Sequence, residues 1–289
     1  MNISKIIKTI SLLVFSISVF GQTDKEFLKN WNTYPVPENI MSYNSAKNDW
    51  IVYLDRNEIK VVDDYSYAYK HHLSNKKLPF KVEETGLIDV IKVKDGYLVG
   101  FNRGEWGGKL YWFSKNGKKK YEIDGSIFSS PVQFIKRDNI IYAITGLSHL
   151  GMSHGNIIKI EKAEKKWIVE EFLKLPDAPY AIQLDSKDNM LVFTSSGLYS
   201  INKEANLDTL AVKFRRPIIP IIEIELPSGA DTLRAIAIQK PLEIHPKWLW
   251  GFLYPTSMVI QNDVVYVGMR GGVYKFDLTT RKDEWLLPE

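Results

Sequence analysis

Polar and aromatic residues suited to binding a ligand concentrate in two glycine-flanked segments of the sequence. Residues 103–108 combine a guanidinium, a carboxylate and an indole, which together can stack on and hydrogen-bond a polar molecule. Residues 146–155 add two imidazoles within a stretch of small residues. These residue types predict a ligand-binding site formed by Arg103, Glu105, Trp106, His149 and His154.

Catalysis by a serine nucleophile is a second interpretation of residues 146–155. The stretch Gly151-Met152-Ser153-His154-Gly155 fits the nucleophile-elbow pattern, and Asp177 and His245 follow in the order that the hydrolase fold uses. An elbow needs a strand before it and a helix after it, whereas this stretch lies between two predicted strands, which disfavours a serine hydrolase. Asp177 is the best single carboxylate for general-base chemistry.

A metal site would need a third ligand beside His149 and His154. Neutral imidazoles are common metal ligands, but no helix or strand enforces the spacing of these two, and the sequence marks no third ligand. We therefore predict no metal site, with these two histidines as the nearest candidates. The sequence indicates no particular cofactor.

A short pattern recurs five times along the chain: a polar turn, a β-rich apolar run, a Gly- or Ser-containing loop and a second β-rich run. Equivalent positions lie 46, 45, 49 and 74 residues apart, and a period of roughly 40 to 50 residues is typical of four-stranded propeller blades. We therefore predict an all-β fold, a β-propeller with five clear four-stranded blades. The equivalent positions are Tyr53, Val99, Ile144, Phe193 and Val267.

Each repeat carries signals for four strands. Alternating apolar and polar residues predict the first strand, and pairs rich in Asp, Asn and Gly predict the hairpin turn that follows it. Residues 161–175 could also form an amphipathic helix, but the register of the repeat favours a strand. The predicted turns are Asn48-Asp49, Asp95-Gly96, Asp138-Asn139, Asp188-Asn189 and Asn262-Asp263.

The 74-residue interval holds more residues than one blade needs. Residues 218–252 within it are predicted to be either an insertion or a degenerate sixth blade, and residues 221–238 have the pattern of a β-hairpin. We expect residues 22–289 to form a single propeller domain. Residues 24–39, which precede the first repeat, are predicted to pack as a closing strand or as a lid.

Two of the repeats resemble repeats of known propellers. Residues 188–199 are similar to the repeat of bacterial sensor propellers, although Val192 and Phe193 replace its Trp and its first Gly. Residues 265–274 are similar to the repeat of quinoprotein-type propellers. Because both motifs are structural, the resemblance to this bacterial β-propeller superfamily implies the fold and no ligand or catalytic residue.

The loops between the second and third strands of propeller blades emerge on one face, together with the connections between blades. The repeat alignment places Asp55 and Arg56 on that face, along with residues 103–108 and 146–155. It also adds two charged residues to the predicted ligand-binding site at the mouth of the central channel. These are Asp177 and Arg270.

The first 21 residues predict export. Two lysines precede a short apolar stretch and a small residue at the expected cleavage site, as in a cleavable signal peptide. We therefore expect a periplasmic or secreted protein with no membrane span in its mature chain, since the apolar stretch is too short to cross a bilayer. The absence of cysteine excludes disulfides and a lipid-accepting cysteine.

Charge and composition narrow the class of partner. The formal net charge is +4, and two lysines belong to the predicted leader, so little positive excess remains for nucleic acid or an anionic membrane. A chain with 45% hydrophobic residues is globular in composition. We expect a monomer that binds a protein or a polar small molecule, and no nucleic acid.

The predicted function is a binding or interaction module that uses one face of the propeller around its central channel. The alternative is a propeller-type hydrolase or lyase, metal-assisted or not, with its site on the same face. A third interpretation is a structural or inhibitory partner of another envelope protein, which binds through the aromatic residues of segment 247–254. Residue types alone do not decide whether the protein is an enzyme.

Overall fold

Antiparallel β-strands make up nearly all of the regular structure. The computed structural model describes residues 31–36, 48–63, 78–123, 130–149, 152–211, 222–223, 234–235 and 255–288. Within those ranges, no helix is long and apolar enough to cross a membrane. The predicted leader, residues 1–21, lies outside them, as do His245 and segment 247–254.

The strands of the first half of the chain are β1 (Trp31–Tyr34), β2 (Ile51–Asp55), β3 (Glu58–Val62), β4 (Leu87–Val93), β5 (Gly96–Asn102), β6 (Gly108–Ser114), β7 (Lys120–Glu122), β8 (Pro131–Arg137) and β9 (Ile140–His149). Those of the second half are β10 (Met152–Ala163), β11 (Lys166–Leu175), β12 (Pro179–Leu184), β13 (Met190–Thr194), β14 (Leu198–Ile201), β15 (Leu207–Ala211), β16 (Ile222–Glu223), β17 (Arg234–Ala235), β18 (Pro255–Gln261), β19 (Val264–Met269), β20 (Gly272–Asp277) and β21 (Asp283–Pro288).

Consecutive strands pair into separate sheets. Strands β4 to β7, β8 to β11 and β12 to β15 form three four-stranded antiparallel sheets, and β18 to β21 form a fourth. Strand β1 adds to β21 as a fifth strand of that last sheet, so the predicted closing strand is present. Strands β2 and β3 pair with each other, and so do β16 and β17.

The sheets stand side by side around an axis. The first strand of each sheet contacts the first strand of the next, in the order β4, β8, β12, β18 and β2. This arrangement of small antiparallel sheets is a β-propeller, as the repeat period predicts. Each of the four larger sheets is therefore one blade, and β2 and β3 take the place of a fifth beside β18. We call the contact zone between two neighbouring blades a seam.

The hydrophobic core is distributed over the seams. One buried cluster joins Phe193 of β13 to Tyr274 of β20 and Trp285 of β21, with the Phe193 and Tyr274 rings 5.7 Å apart. Three other clusters join the β4–β7 and β8–β11 blades, the β8–β11 and β12–β15 blades, and the β18–β21 blade with β2 and β3. Each large apolar side chain buried there contributes about 1.5–3 kcal/mol to stability.

Side chains of the inner strands also link neighbouring blades. A residue next to a bulge in one inner strand accepts a hydrogen bond from a backbone N–H of the next inner strand, so buried donors on the inner strands are satisfied across the seams. The three bonds run from Phe134 N to Asp89 (2.7 Å), from Ile182 N to Gln133 (3.1 Å) and from Val52 N to Ser257 (2.7 Å).

The aspartates of the first hairpin turns also link neighbouring blades. Three of them bond a residue of a neighbouring blade, which turn chemistry alone does not predict: Lys162 bonds Asp95 (2.7 Å), Lys203 bonds Asp138 (2.6 Å) and Ser186 bonds Asp263 (2.7 Å). Burial raises the pKa of Asp95, but hydrogen bonds from Lys162 and the backbone, with the lysine charge, lower it overall.

The first repeat departs from the prediction. Its hairpin turn is Arg56-Asn57, where both residues have positive φ, and not Asn48-Asp49. Strand β2 packs against β18 as an inner strand, whereas the alignment made it a second strand. The Arg56-Asn57 turn therefore lies at the end of the molecule with the other first hairpin turns, where Gln261 donates to Asn57 O (2.5 Å), and Asp55 and Arg56 are not on the predicted face.

Two ambiguous segments form strands. Residues 161–175 belong to the hairpin of β10 and β11, with Glu164 in a left-handed turn, so the strand prediction is confirmed. Strands β16 and β17 form the antiparallel pair predicted for residues 221–238. Most of segment 218–252 lies outside the described residues. The β12–β15 and β18–β21 blades on either side of it contact each other directly.

We expect Asp89→Ala to reduce the free energy of unfolding by about 2–4 kcal/mol, because the buried carboxylate accepts bonds from Val90 N (2.9 Å) and Phe134 N (2.7 Å). Urea denaturation measures the loss. The matched control is Asp208→Ala, which removes an exposed ion pair with Arg281 and should cost below about 1 kcal/mol. Equal losses for the two variants would contradict a role for Asp89 in joining the blades.

Candidate functional site

The candidate site lies at the end of the propeller where second strands lead into third strands. We call this end the loop face. It is formed by the loop 103–107 between β5 and β6, the tip of the β9–β10 hairpin, the loop 195–197 between β13 and β14, and residues 270–271 between β19 and β20. Connections between blades reach the same end, among them Ser130 and Ala178.

The loop 103–107, which we call the Trp106 loop, is held rigidly by its own backbone. Residues 104–106 form one turn of 3-10 helix, in which Trp106 N donates to Arg103 O (3.2 Å) and Gly107 N donates to Gly104 O (3.1 Å). Arg103 N donates to Gly107 O (3.0 Å), which closes the loop. Glycines occupy the two positions with positive φ, Gly104 at 62° and Gly107 at 83°.

Neighbouring side chains fix this loop to its own blade and to the next one. Asn102 accepts a bond from Gly104 N (2.8 Å) and donates to Pro131 O (2.9 Å). Ser130, which is buried, donates to Gly104 O (3.2 Å). The result is a preorganised loop that leaves Trp106 76% exposed, the most exposed large hydrophobic side chain among the described residues.

The β9–β10 hairpin presents one of its two faces to the Trp106 loop. Met152 pairs with His149 and His154 pairs with Leu147, so strand alternation puts these four side chains on the same face. His149 Nε2 lies 2.7 Å from Glu105 Oε2, which ties the hairpin to the Trp106 loop. Met152 is 63% exposed, and His154 is also exposed.

The structure places five of the seven predicted site residues on the Trp106 loop and on the facing side of the β9–β10 hairpin: Arg103, Glu105, Trp106, His149 and His154. Glu105 and His149 make contact across the seam between the β4–β7 and β8–β11 blades. The Cγ of Arg103 lies beside Gly86 of its own blade.

The two charged side chains of the Trp106 loop, Glu105 and Arg103, have different environments. Glu105 Oε2 contacts His149 Nε2, and the Glu105 side chain stays 45% exposed. Arg103 is exposed, and its guanidinium has no hydrogen bond or ion pair to any described residue. The Trp106 loop thus presents a guanidinium without a polar partner among the described residues and, three positions later, an exposed indole.

The opposite face of the same hairpin belongs to the next seam. Ser153 accepts a bond from Ala178 N (2.9 Å) and lies 2.9 Å from the Ser195 hydroxyl. A Cβ added at Gly155 would lie 2.3 Å from Pro179 Cδ, so this glycine is what allows the two blades to approach. Asp177 is half-buried in the connection at this seam, apart from the Trp106 loop.

The structure does not give Ser153 the surroundings of a serine nucleophile. Ser153 belongs to a β-hairpin and is not followed by a helix, as predicted, but it lies on strand β10 and not in a loop, because β9 and β10 extend into residues 146–155. Its hydroxyl is engaged in joining blades. His245 lies outside the described residues.

The part of the chain that the structure describes contains no set of side chains arranged as metal ligands. Nowhere in those ranges do three His, Asp or Glu side chains cluster as a metal ion would require.

Arg270 lies at another seam and is engaged there. Its guanidinium contacts the Asp49 carboxylate at 2.8 and 3.3 Å, and both side chains are about a third exposed, at 28% and 39%. Trp50 N donates to Met269 O (3.1 Å) and Gly271 N donates to Asn48 O (2.9 Å) beside it. This group of bonds attaches the start of β2 to the last blade.

A groove of about 400 Å³ lies at the other end of the molecule, between the β12–β15 and β18–β21 blades. Its polar groups largely satisfy one another, since Arg281 pairs with Asp208 (2.8 Å) and Ser186 bonds Asp263 (2.7 Å). The Asp185 carboxylate accepts hydrogen bonds within its own turn, from Lys187 N and Asn189 N. The groove therefore offers few free polar groups to a ligand.

Sequence reasoning missed several residues of the loop face. The sequence pattern around Met152 points to Ser153 and not to the methionine side chain. Asp49 was assigned to a turn, and Ser130 lies in a connection without any motif. An exposed methionine inside a glycine-flanked stretch was the one available signal, because hairpin alternation puts it on the same face as both histidines.

The known proteins that this chain resembles are similar to it in structure only, at low sequence identity. No protein-family model matches the sequence, and no curated protein matches it.

Among solved structures, the chain is similar to the extracellular domain of a putative one-component system from B. thetaiotaomicron, with 10% identity and a TM-score of 0.42 over 89% of this chain and 29% of that one. It is also similar to a streptogramin B lyase, with 14% identity and a TM-score of 0.40 over 72% of this chain and 56% of that one. A chain of a nidogen/laminin complex gives 14% identity and a TM-score of 0.38 over 84% and 94%. At this distance no function transfers, and the sheets of the protein itself establish the fold.

We expect a double-mutant cycle with Asp49→Ala and Arg270→Ala to give a coupling energy of about 1 kcal/mol in the free energy of unfolding. The reason is that this ion pair is bidentate and partly buried. Chemical denaturation of the four proteins measures it. The control cycle uses Asp208 and Arg281, whose side chains are 56% and 58% exposed, and should give a smaller value. A coupling near zero for the first pair would show that the attachment of β2 does not need it.

Proposed function

We propose that this protein is an exported interaction module that binds a protein partner through the loop face, with the Trp106 loop at the centre of the contact. The observation that carries the proposal is the exposed Trp106 side chain on a loop fixed by backbone and side-chain hydrogen bonds. A large indole left in water forgoes the stabilisation that burial would provide. Preorganisation makes sense for a surface that is buried later, on binding.

The composition of the surface supports a protein partner. Trp and Arg are the residue types that dominate binding energy at protein interfaces, and Met is enriched there. Trp106, Arg103 and Met152 supply these three types on two loops that the Glu105–His149 contact holds together. A rigid loop also loses little conformational entropy on binding, which favours affinity.

Asp177 and Arg270 have a lesser part in the proposal. They lie on the same face at other seams, so only a partner that extends across the face would contact them. Export follows from the predicted leader, and we propose that the mature protein acts as a monomer in the periplasm or outside the cell.

The test is photo-crosslinking from position 106. A benzophenone amino acid at Trp106 should give a discrete crosslinked adduct in cells that export the protein, and the same amino acid at Leu54 should not. Leu54 is a matched control because it is a 44% exposed apolar residue at the opposite end of the propeller. Adducts are detected by immunoblotting and identified by mass spectrometry.

The companion variants are Trp106→Ala and Leu54→Ala. Trp106→Ala should weaken co-purification of the crosslinked partner by roughly tenfold or more, as expected for a hot-spot residue, with no loss of thermal stability. Crosslinking from position 54 and not from 106, or unchanged co-purification with Trp106→Ala, would refute the proposed surface.

A further inference from the structure

The charges of the Trp106 loop restrict what the partner can present. Arg103 is exposed and has no polar partner among the described residues, and the Glu105 carboxylate is already bound by His149. His154 adds a second imidazole, beside that of His149, on the face of the hairpin that is turned towards the loop. The surface therefore combines an exposed guanidinium with a carboxylate that has one oxygen in contact with His149.

The backbone of Arg103 is held in the same hydrogen-bonded turn as that of Trp106. Its backbone N–H donates to Gly107 O (3.0 Å) and its carbonyl accepts from Trp106 N (3.2 Å). The two residues therefore belong to one hydrogen-bonded turn, with the guanidinium and the indole both in solvent. A partner that covers both side chains removes water from around Arg103.

Removing water from an unpaired guanidinium is costly unless an anion replaces it. The planar fork of Arg matches a carboxylate through two parallel hydrogen bonds, and the pair is strengthened in the low dielectric of an interface. A lysine on the partner would instead face Arg103 with the same sign of charge, which selects against basic segments.

We infer that the Trp106 loop recognises a protein segment that carries a carboxylate next to an apolar side chain. The carboxylate pairs with Arg103, and the apolar side chain packs on Trp106 and Met152. This inference rests on the proposed function and adds the chemical class of the partner. The carboxylate can belong to an Asp or Glu side chain or to a chain terminus.

The experiment uses fluorescein-labelled ten-residue peptides and the full mature protein, with binding followed by fluorescence anisotropy. One peptide alternates Asp with Leu and Phe and has a blocked C-terminus. A second replaces each Asp with Lys, and a third replaces each with Ser. A fourth is the serine peptide with a free C-terminal carboxylate after Phe, which distinguishes the two sources of the carboxylate.

We expect the aspartate peptide to bind roughly tenfold or more tightly than the lysine peptide, and its affinity to fall at high salt. Arg103→Gln should lower affinity for the aspartate peptide about tenfold and leave the serine peptide unchanged. Trp106→Ala should weaken both. The matched control is Arg56→Gln, which removes an exposed guanidinium at the opposite end and should change nothing.

The outcomes separate the inference from the proposed function. Crosslinking at position 106 together with equal binding of aspartate and lysine peptides would overturn the acidic class and keep the interaction surface. Lack of binding by every peptide, or an effect of Arg56→Gln equal to that of Arg103→Gln, would also overturn the inference. Tight binding of a uronic acid polymer such as alginate, without the aspartate peptide, would do the same and point to an acidic glycan.

Discussion

The position of every loop on the propeller depends on how closely neighbouring blades pack. A four-stranded sheet of this size cannot bury both of its faces alone, so each blade covers the next and the core lies in the seams. Neighbouring blades approach closely at Gly146 and Gly155, where an added Cβ would lie 2.6 and 2.3 Å from Pro179 Cδ. Because the seams leave so little freedom, loops from different blades meet at fixed relative positions.

The Trp106 loop uses that fixed geometry. Its carbonyl at Gly104 accepts from Ser130, in the connection to the next blade, and Glu105 reaches His149 on the hairpin of that blade. An indole that would otherwise lower its free energy by collapsing onto the surface is thus kept in solvent. Arg270 lies at another seam. Its guanidinium pairs with the Asp49 carboxylate, and this ion pair joins the start of β2 to the last blade. Two arginines on the same face therefore have different environments: Arg270 is paired with Asp49, and Arg103 has no polar partner among the described residues.

Much of the architecture could be predicted because it repeats. Turn residues that adopt positive φ, such as Asp138 and Asn262, and a regular spacing of apolar runs identify blades without any knowledge of contacts. The first repeat misled the alignment because Asn48-Asp49 resembles a hairpin turn, whereas the left-handed pair is Arg56-Asn57. The two candidate segments could be found from residue types. Pairing between blades could not, since Glu105 with His149, Asp49 with Arg270 and Lys162 with Asp95 are separated by 44, 221 and 67 residues. Such contacts depend on the radial assembly and leave no local pattern.

The most direct test of this account is the proximity of the Trp106 loop to the β9–β10 hairpin. The chain has no cysteine, so Glu105→Cys with His149→Cys introduces a single reactive pair, and Glu105→Cys with Leu54→Cys provides the control. Treatment of each folded double variant with a short bismaleimide, followed by proteolysis and mass spectrometry, shows which pairs lie within reach. The account predicts an intramolecular crosslink between positions 105 and 149 and none between 105 and 54. A crosslink between 105 and 54, or none between 105 and 149, would contradict the assembly of these loops on one face.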